Sequence, residues 1–291
     1  MKFCSALLVP LLPYKTNDAV IRRRAKYRLS DAQREKMREA CRFNAQLMDF
    51  IRPYVKAGAA TQYIDKLLHD YTLDHGHTPA CLGYPGDKYP FPKSCCISVN
   101  EVICHGIPGP YELQDGDIVN VDLTTVVDGW HGDQSETFVI GDASEEARKV
   151  TQCAFESLYL AIDAIETGCP ISDIGTAIVN HVSQHYPDFG VVDKYIGHGI
   201  GRKFHQPPNI PHVPNRASRQ ERLYAGMCFT IEPMINGGTA RTISDPSDGW
   251  TVRTADDKVS AQFEHTILMG EDGPEILTQT QDGPKPGSSF V

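Results

Sequence analysis

The chain reads as one α+β unit built on antiparallel strands. Three observations predict this. Helical and strand-like patterns occur in both halves without the β-α-β alternation of a parallel sheet. An Asp-Gly pair at 128–129 sits between runs of β-branched and aromatic residues, the strongest short-range hairpin signal. Finally, 291 residues with 41% hydrophobic content can bury a large core. Three segments follow from composition: a basic N-terminal extension over residues 1–30, a body over 31–278, and a polar tail over 279–291 expected to be disordered.

Ser30 and Gln33 form a capping-box pattern that opens a helix with Met37, Cys41, Leu47, Phe50 and Ile51 on its apolar side, ending near Gly58. A second helix runs over about 61–75, with Ile64, Leu67, Leu68 and Tyr71 on one stripe. Its tail holds His69, Asp74, His75 and His77; a helix C-terminus favours His for dipole reasons, so this cluster reads as structural rather than metal-binding. Residues 81–92 form a Gly/Pro/aromatic loop, followed by strands at 95–99 and 101–104. Ser144 caps a helix over about 145–167, and another spans about 170–185. Strand-like runs recur at 227–235, 250–254 and 259–269.

The net charge is −9, unevenly spread. Residues 1–60 contain thirteen Lys/Arg against five Asp/Glu, a balance of +8, which leaves −17 for the rest. A basic arm over residues 15–42 on an acidic body suggests docking on ribosomal RNA, against the plainer reading of a solvated helix face. Nine cysteines without a C-x-x-C pair fit free thiols in a reducing cytoplasm. The weakly apolar start carries a Lys, two prolines and no small-residue cleavage site, and no run reaches the ~20 apolar residues that cross a bilayer. A cytoplasmic monomer without DNA or membrane contacts is expected.

The hairpin carries the first chemical signal. With Asp128-Gly129 as a two-residue loop, Val127 pairs with Trp130 and Asp133 lies opposite Thr124. Asp122 is then a diagonal neighbour of Asp133 on the same face, roughly 7–8 Å away between backbones. Two carboxylates on one strand face are costly unless a cation offsets them. Further acid and imidazole groups stand in special settings. His198 lies in a Gly-His-Gly-Ile-Gly run, whose glycines allow close backbone approach or unusual φ/ψ, and His205 follows seven residues later. Glu232 precedes the strand-breaking Pro233. Alternation places Gln262, Glu264 and Thr266 on one face and His265 on the other.

CHGIP (104–108), VDLT (121–124), DGWHGDQSETF (128–138), GHGIGRKFH (197–205), TIEPM (230–234) and SAQFEHTI (260–267) closely resemble the motifs of the type I methionine aminopeptidases, in that family's order. The resemblance covers roughly residues 31–278. It implies the pita-bread fold with pseudo-twofold halves and two divalent metal ions bound by Asp122, Asp133, His198, Glu232 and Glu264. Glu232 would shuttle the proton, His205 would meet the carbonyl oxygen, and His105 would contact the peptide nitrogen or leaving group. Cys81, Tyr84, Cys96, Phe204 and Trp250 would line the methionine pocket, with Met234 near and Tyr89 or Phe91 as a further aromatic. Thr124 would support the ligands, and Asn100, Val102 and Ser260 match a monovalent-cation site in some relatives. The oxygen-rich donor set suits Mn²⁺, Fe²⁺ or Co²⁺, with Zn²⁺ less distinctive. Four carboxylates would balance two divalent cations.

Departures from the family pattern are a longer loop around 87–91, Pro85 at a position often holding His, and no zinc-finger extension. The implied function is removal of N-terminal methionine from nascent chains and peptides with a small second residue. Alternatives are a prolidase-like Xaa-Pro peptidase, whose large extra N-terminal domain has no room here, and a non-catalytic binding module, which would lose metal ligands.

Overall fold

The computed structural model describes residues 27–291. The basic extension and its proposed RNA contact lie outside the described residues up to residue 26. In the described part of the arm, Arg34 pairs with Asp31, and Arg38 pairs with Glu35 and Glu275.

The helices are α1 (Asp31–Ile51), α2 (Thr61–Asp74), α3 (Glu145–Asp163), α4 (Ser172–His185) and a short α5 (Arg216–Gln220). At the start of α1 the Gln33 side chain accepts from the Ser30 amide (2.9 Å), and Ser144 Oγ caps α3 by accepting from Ala147 N (3.2 Å). The first five strands are β1 (Thr78–Pro79), β2 (Cys96–Val99), β3 (Val102–Cys104), β4 (Ile118–Val127) and β5 (Trp130–Val139). Next come β6 (Gly190–Val191), β7 (Gly197–Gly199), β8 (Gln206–Ile210), β9 (Cys228–Ile231) and β10 (Met234–Asn236). The last are β11 (Thr242–Ser244), β12 (Val252–Thr254), β13 (Ser260–Gln262), β14 (His265–Met269) and β15 (Pro274–Ile276).

The β4/β5 hairpin has the register expected from the sequence. Val127 faces Trp130, Thr124 faces Asp133 and Asp122 faces Ser135. Asp128 (φ +49°) and Gly129 (φ +79°) form the two-residue turn, both in the left-handed region that suits Asp-Gly. β5 runs along one edge of β4, while β2 and β1 follow each other along the opposite edge. In the second half, the order β15-β14-β9-β7-β8 forms a five-stranded sheet, and β13-β10-β6 forms a smaller one.

Two hydrophobic cores correspond to the two halves. Met37, Leu47, Met48, Ile51 and Ile64 of α1 and α2 pack with Val119, Val121 and Leu123 of β4. Val150, Phe155 and Leu158 of α3 and Ile174 and Ile178 of α4 pack with Phe229, Ile231 and Ile267. Fully burying each such side chain contributes roughly 1.5–3 kcal/mol.

Three features differ from the sequence expectation. The run 227–235 is two strands, because Pro233 has no N–H for a ladder and the chain leaves β9 at Glu232 to enter β10 in another sheet. The run 259–269 also breaks, at Phe263-Glu264, where the Glu264 amide turns to the Ser135 carbonyl (3.0 Å). The third is the tail expected to be disordered, which lies against the body. Thr280 is buried, Gln281 N donates to Asp49 Oδ2 (2.7 Å), and Phe290 N donates to Gln152 Oε1 (2.8 Å). The Phe290 ring meets Phe155 and Phe263 at 5.4 and 5.6 Å, contacts that outweigh the polar composition.

Candidate metal centre and active site

The seam between the two halves holds a cavity of about 380 Å³. Asp122, Asp133, His198, Glu232 and Glu264 all line it, together with His105 and His205. The first half supplies Asp122 and Asp133 from adjacent strands through the hairpin register. In the second half, Glu232 and Glu264 stand where two antiparallel strand pairs change sheets. Ile231 pairs with His265 before the break, and Met234 with Gln262 after it. The walls are joined directly: the Glu264 amide donates to Ser135 O, and Thr266 Oγ1 donates to Asp133 O (2.7 Å).

His198 closes one side. A Cβ on Gly197 would lie 2.4 Å from Thr230 O, so glycine is needed for β7 to approach β9 this closely. The glycines of this run serve close approach; among 197, 199 and 201 none has a positive φ. His198 Nδ1–H donates to Gly199 O (3.1 Å), which leaves Nε2 facing Asp133 Oδ2 (3.6 Å) and Glu232 Oε1 (3.7 Å). Ligand atoms of Asp133, His198 and Glu264 all lie within 4.8 Å of one another. Asp122 and Glu232 flank this cluster.

Two threonines orient carboxylates on opposite walls. Thr124 Oγ1 donates to Asp133 Oδ1 (2.7 Å), and Thr230 Oγ1 donates to Glu232 Oε1 (2.9 Å). Gln262 Nε2 donates to Glu232 Oε2 (3.3 Å), and His212 Nε2 accepts from the Glu232 amide (3.3 Å). Thr230, Gln262 and His212 were not singled out as supports; the one sequence signal was the alternation that put Gln262 on the face of Glu264.

The electrostatics point to cations. Burial pushes the Asp122 carboxyl up to about 7. Burial, followed by the charges of neighbouring acids, holds Asp133, Glu232 and Glu264 well above the usual carboxylate range. Burial lowers His198 to about 3, with His205 adding to the effect, so its imidazole is neutral. Four acids and a lone-pair nitrogen thus face one space with hydrogen bonds from Thr124, Thr230 and Gln262 but, among the described residues, no Lys or Arg in contact. Hard divalent cations fit such a donor set.

His105 holds φ +57°, an uncommon backbone conformation, and its ring lies edge-on to Tyr195 and Trp250. Burial lowers it to about 4; His205 is also lowered to about 4, by burial and then by the charges of His105 and His131. The Tyr84 hydroxyl is 2.7 Å from His205 Nδ1. With Tyr84 as donor, the His205 proton sits on Nε2.

One end of the cavity is a thiol and aromatic cluster of Cys81, Phe91 and Cys96 with Tyr84, Phe204 and Trp250 against it. Phe91 is the aromatic of the long loop that lines this end, whereas Tyr89 is 62% exposed. Tyr89 acts through its backbone, accepting from Trp250 Nε1 (2.9 Å). Met234, Tyr195, Ile196 and Lys194 also line the cavity. The last three lie in an irregular segment that carries no periodic signal. Outside the cavity, Ser260 N donates to Asn100 O (2.8 Å), Asn100 Nδ2 donates to Asp117 Oδ1 (2.8 Å), and Val102 is buried in β3. His69 bonds Ser94, and His75 and His77 pack on Phe43.

The cysteines among the described residues are all free, and all but Cys169 are buried. No helix there is long and apolar enough to cross a membrane.

The family model of metallopeptidase family M24 matches residues 35–271. Methionine aminopeptidase of Escherichia coli K12 is 46% identical over 250 residues, 85% of this chain and 92% of that protein. Methionine aminopeptidase A of Synechocystis is 49% identical over 251 residues, 86% of this chain and 96% of that protein. The crystal structure of methionine aminopeptidase from Rickettsia prowazekii superposes with a TM-score of 0.82 at 41% identity, covering 87% and 99% of the two chains. The prolidase of Pyrococcus furiosus, at 19% identity and a TM-score of 0.68 over 91% of this chain and 68% of its own, shares the pita-bread fold alone. With its two-halved α+β architecture and these relatives over most of its length, this chain belongs to metallopeptidase family M24, among the methionine aminopeptidases.

Proposed function

We propose that this protein removes the N-terminal methionine from peptides and nascent chains with a small second residue, using two divalent cations. The carrying observation is the convergence of Asp122, Asp133, His198, Glu232 and Glu264 in one cavity whose far end is lined by thiols and aromatic rings. These five residues would hold the cations, whose four positive charges their four carboxylates match. When bound, the cations supply Lewis acidity, polarising the scissile carbonyl and acidifying the attacking water.

The chain's own groups account for the remaining steps. Glu232 accepts a proton from the water and returns it to the leaving amine, a role suited to a carboxyl whose proton affinity burial has raised. Thr230 and Gln262 each bind one of its oxygens and hold it in place. His205, neutral and protonated on Nε2, donates to the carbonyl oxygen as negative charge develops. His105, also neutral, contacts the peptide nitrogen without adding a charge. The methionine side chain fills the space among Cys81, Tyr84, Phe91, Cys96, Phe204 and Trp250, where sulfur–aromatic contacts favour a thioether.

Protein loaded with Co²⁺ or Mn²⁺ is expected to release methionine from Met-Ala-Ser and no proline from Pro-Ala-Ser. Glu232→Gln should lower turnover by about 10²–10⁴-fold. Release of Xaa from Xaa-Pro dipeptides, or full activity in Glu232→Gln, would overturn the proposal.

A further inference from the structure

The cavity has a second end. Apart from the thiol and aromatic cluster, Met234 and Cys104 line it as part of a separate apolar group with Ile103, Val192 and Val252, against which Tyr195 packs. The rim of this end carries Lys194, the only Lys or Arg lining the cavity among the described residues. Lys194 Nζ lies 5.4 Å from the centre of the Tyr195 ring.

The segment carrying it is fixed on both sides. Val192 N donates to Met234 O (3.1 Å), and His198 N donates to Thr230 Oγ1 (3.0 Å). The position of Lys194 is therefore tied to β10 and β9, the same strands that place Glu232. With the methionine side chain at the aromatic end, the rest of the peptide would pass Met234 and Tyr195, which line the remainder of the cavity. An extended chain advances about 3.3–3.6 Å per residue, so the third residue would lie about 7 Å beyond the scissile bond, on the way out of a cavity whose lining includes Lys194. Two divalent cations would offset the four acids, leaving Lys194 as the cationic side chain of the lining among the described residues.

We propose that Lys194 is a specificity-determining residue that selects a carboxylate on the leaving peptide, two residues beyond the scissile bond. This rests on the aminopeptidase reading above. The carboxylate is either the side chain of an acidic third residue or the free C-terminus of a tripeptide. An exposed ion pair of this kind raises kcat/KM by about 2- to 5-fold, mainly through KM, and less at high salt.

The test uses the metal-loaded full chain and four substrates: Met-Ala-Ser amide, Met-Ala-Ser with a free C-terminus, Met-Ala-Asp amide and Met-Ala-Lys amide. At low salt, wild type is expected to prefer the free acid and the Asp peptide over the neutral amide by about 2- to 5-fold, and to disfavour the Lys peptide. Lys194→Gln should level these ratios, and Lys194→Glu should reverse them toward Met-Ala-Lys amide. A merely structural role would lower all four substrates together and leave their ratios intact. A preference confined to the free acid assigns the contact to the C-terminus, and one shared by the Asp amide assigns it to the third side chain. Equal ratios in wild type and Lys194→Glu overturn the role of Lys194 alone. Release of methionine from none of the four overturns the aminopeptidase reading and this inference with it.

Discussion

The two walls of the site hold similar acids by different means. On the first wall, Asp122 and Asp133 sit within continuous strands, and a two-residue turn sets which face they share. On the second, Glu232 and Glu264 sit where strands stop and the chain passes into another sheet. Register is a sequence-wide property, so the first wall is specified by every pair in the ladder. A break is local, so the second wall depends on Pro233 and on the Glu264 amide leaving its ladder for Ser135. The same support recurs on both sides, a threonine hydroxyl donating to one acid.

The largest expected effect tests whether both walls are needed. Asp122→Asn and Glu264→Gln should each lower methionine release by more than about 100-fold, beyond what loss of an outer partner of a metal ligand costs. Metal analysis of the purified variants should show less bound metal. Near-normal activity in either variant would mean that one wall suffices, and the comparison would fail.

A smaller effect tests the supports. Thr124→Val and Thr230→Val each delete one hydroxyl bound to a carboxylate, and each should cost about 10- to 100-fold in metal affinity or turnover. If the walls are equivalent in this respect, the two losses match within a few-fold. A loss confined to Thr230→Val would assign orientation to the broken wall alone.

The smallest effect is in pH dependence. Burial raises Asp122 to about 7, so below that pH a cation must displace its proton. Affinity for Mn²⁺ should therefore rise with pH, with this one proton contributing up to about tenfold per unit below pH 7 and nothing further above it. Asp122→Asn should flatten that part of the profile. Titration calorimetry at pH 6, 7 and 8 gives the answer, and equal affinity across the series would rule out a proton held at Asp122.

The first wall was legible in the sequence because Asp-Gly dictates one turn type and the turn dictates every pair. The second was legible through Pro233 and through alternation, which put Gln262 and Glu264 on one face although the strand itself breaks between them. Other parts had no local signal. Lys194, Tyr195 and Ile196 come from irregular backbone whose course depends on Met234 and Thr230, far away in sequence. Phe91 could not be separated from Tyr89, since both are aromatic and two residues apart; only burial distinguishes them. The tail misled because composition reports average polarity, whereas its placement rests on Phe290 and three backbone amides that find partners on Asp49 and Gln152.

That tail has a consequence for how the molecule holds its shape. It touches α1 through Asp49 and α3 through Gln152, one helix from each half, on the outside of the protein. Whenever the acids of the seam are ionised without a cation between them, they would repel one another and tend to part the halves from within. A strap across the back resists that separation without taking part in the chemistry.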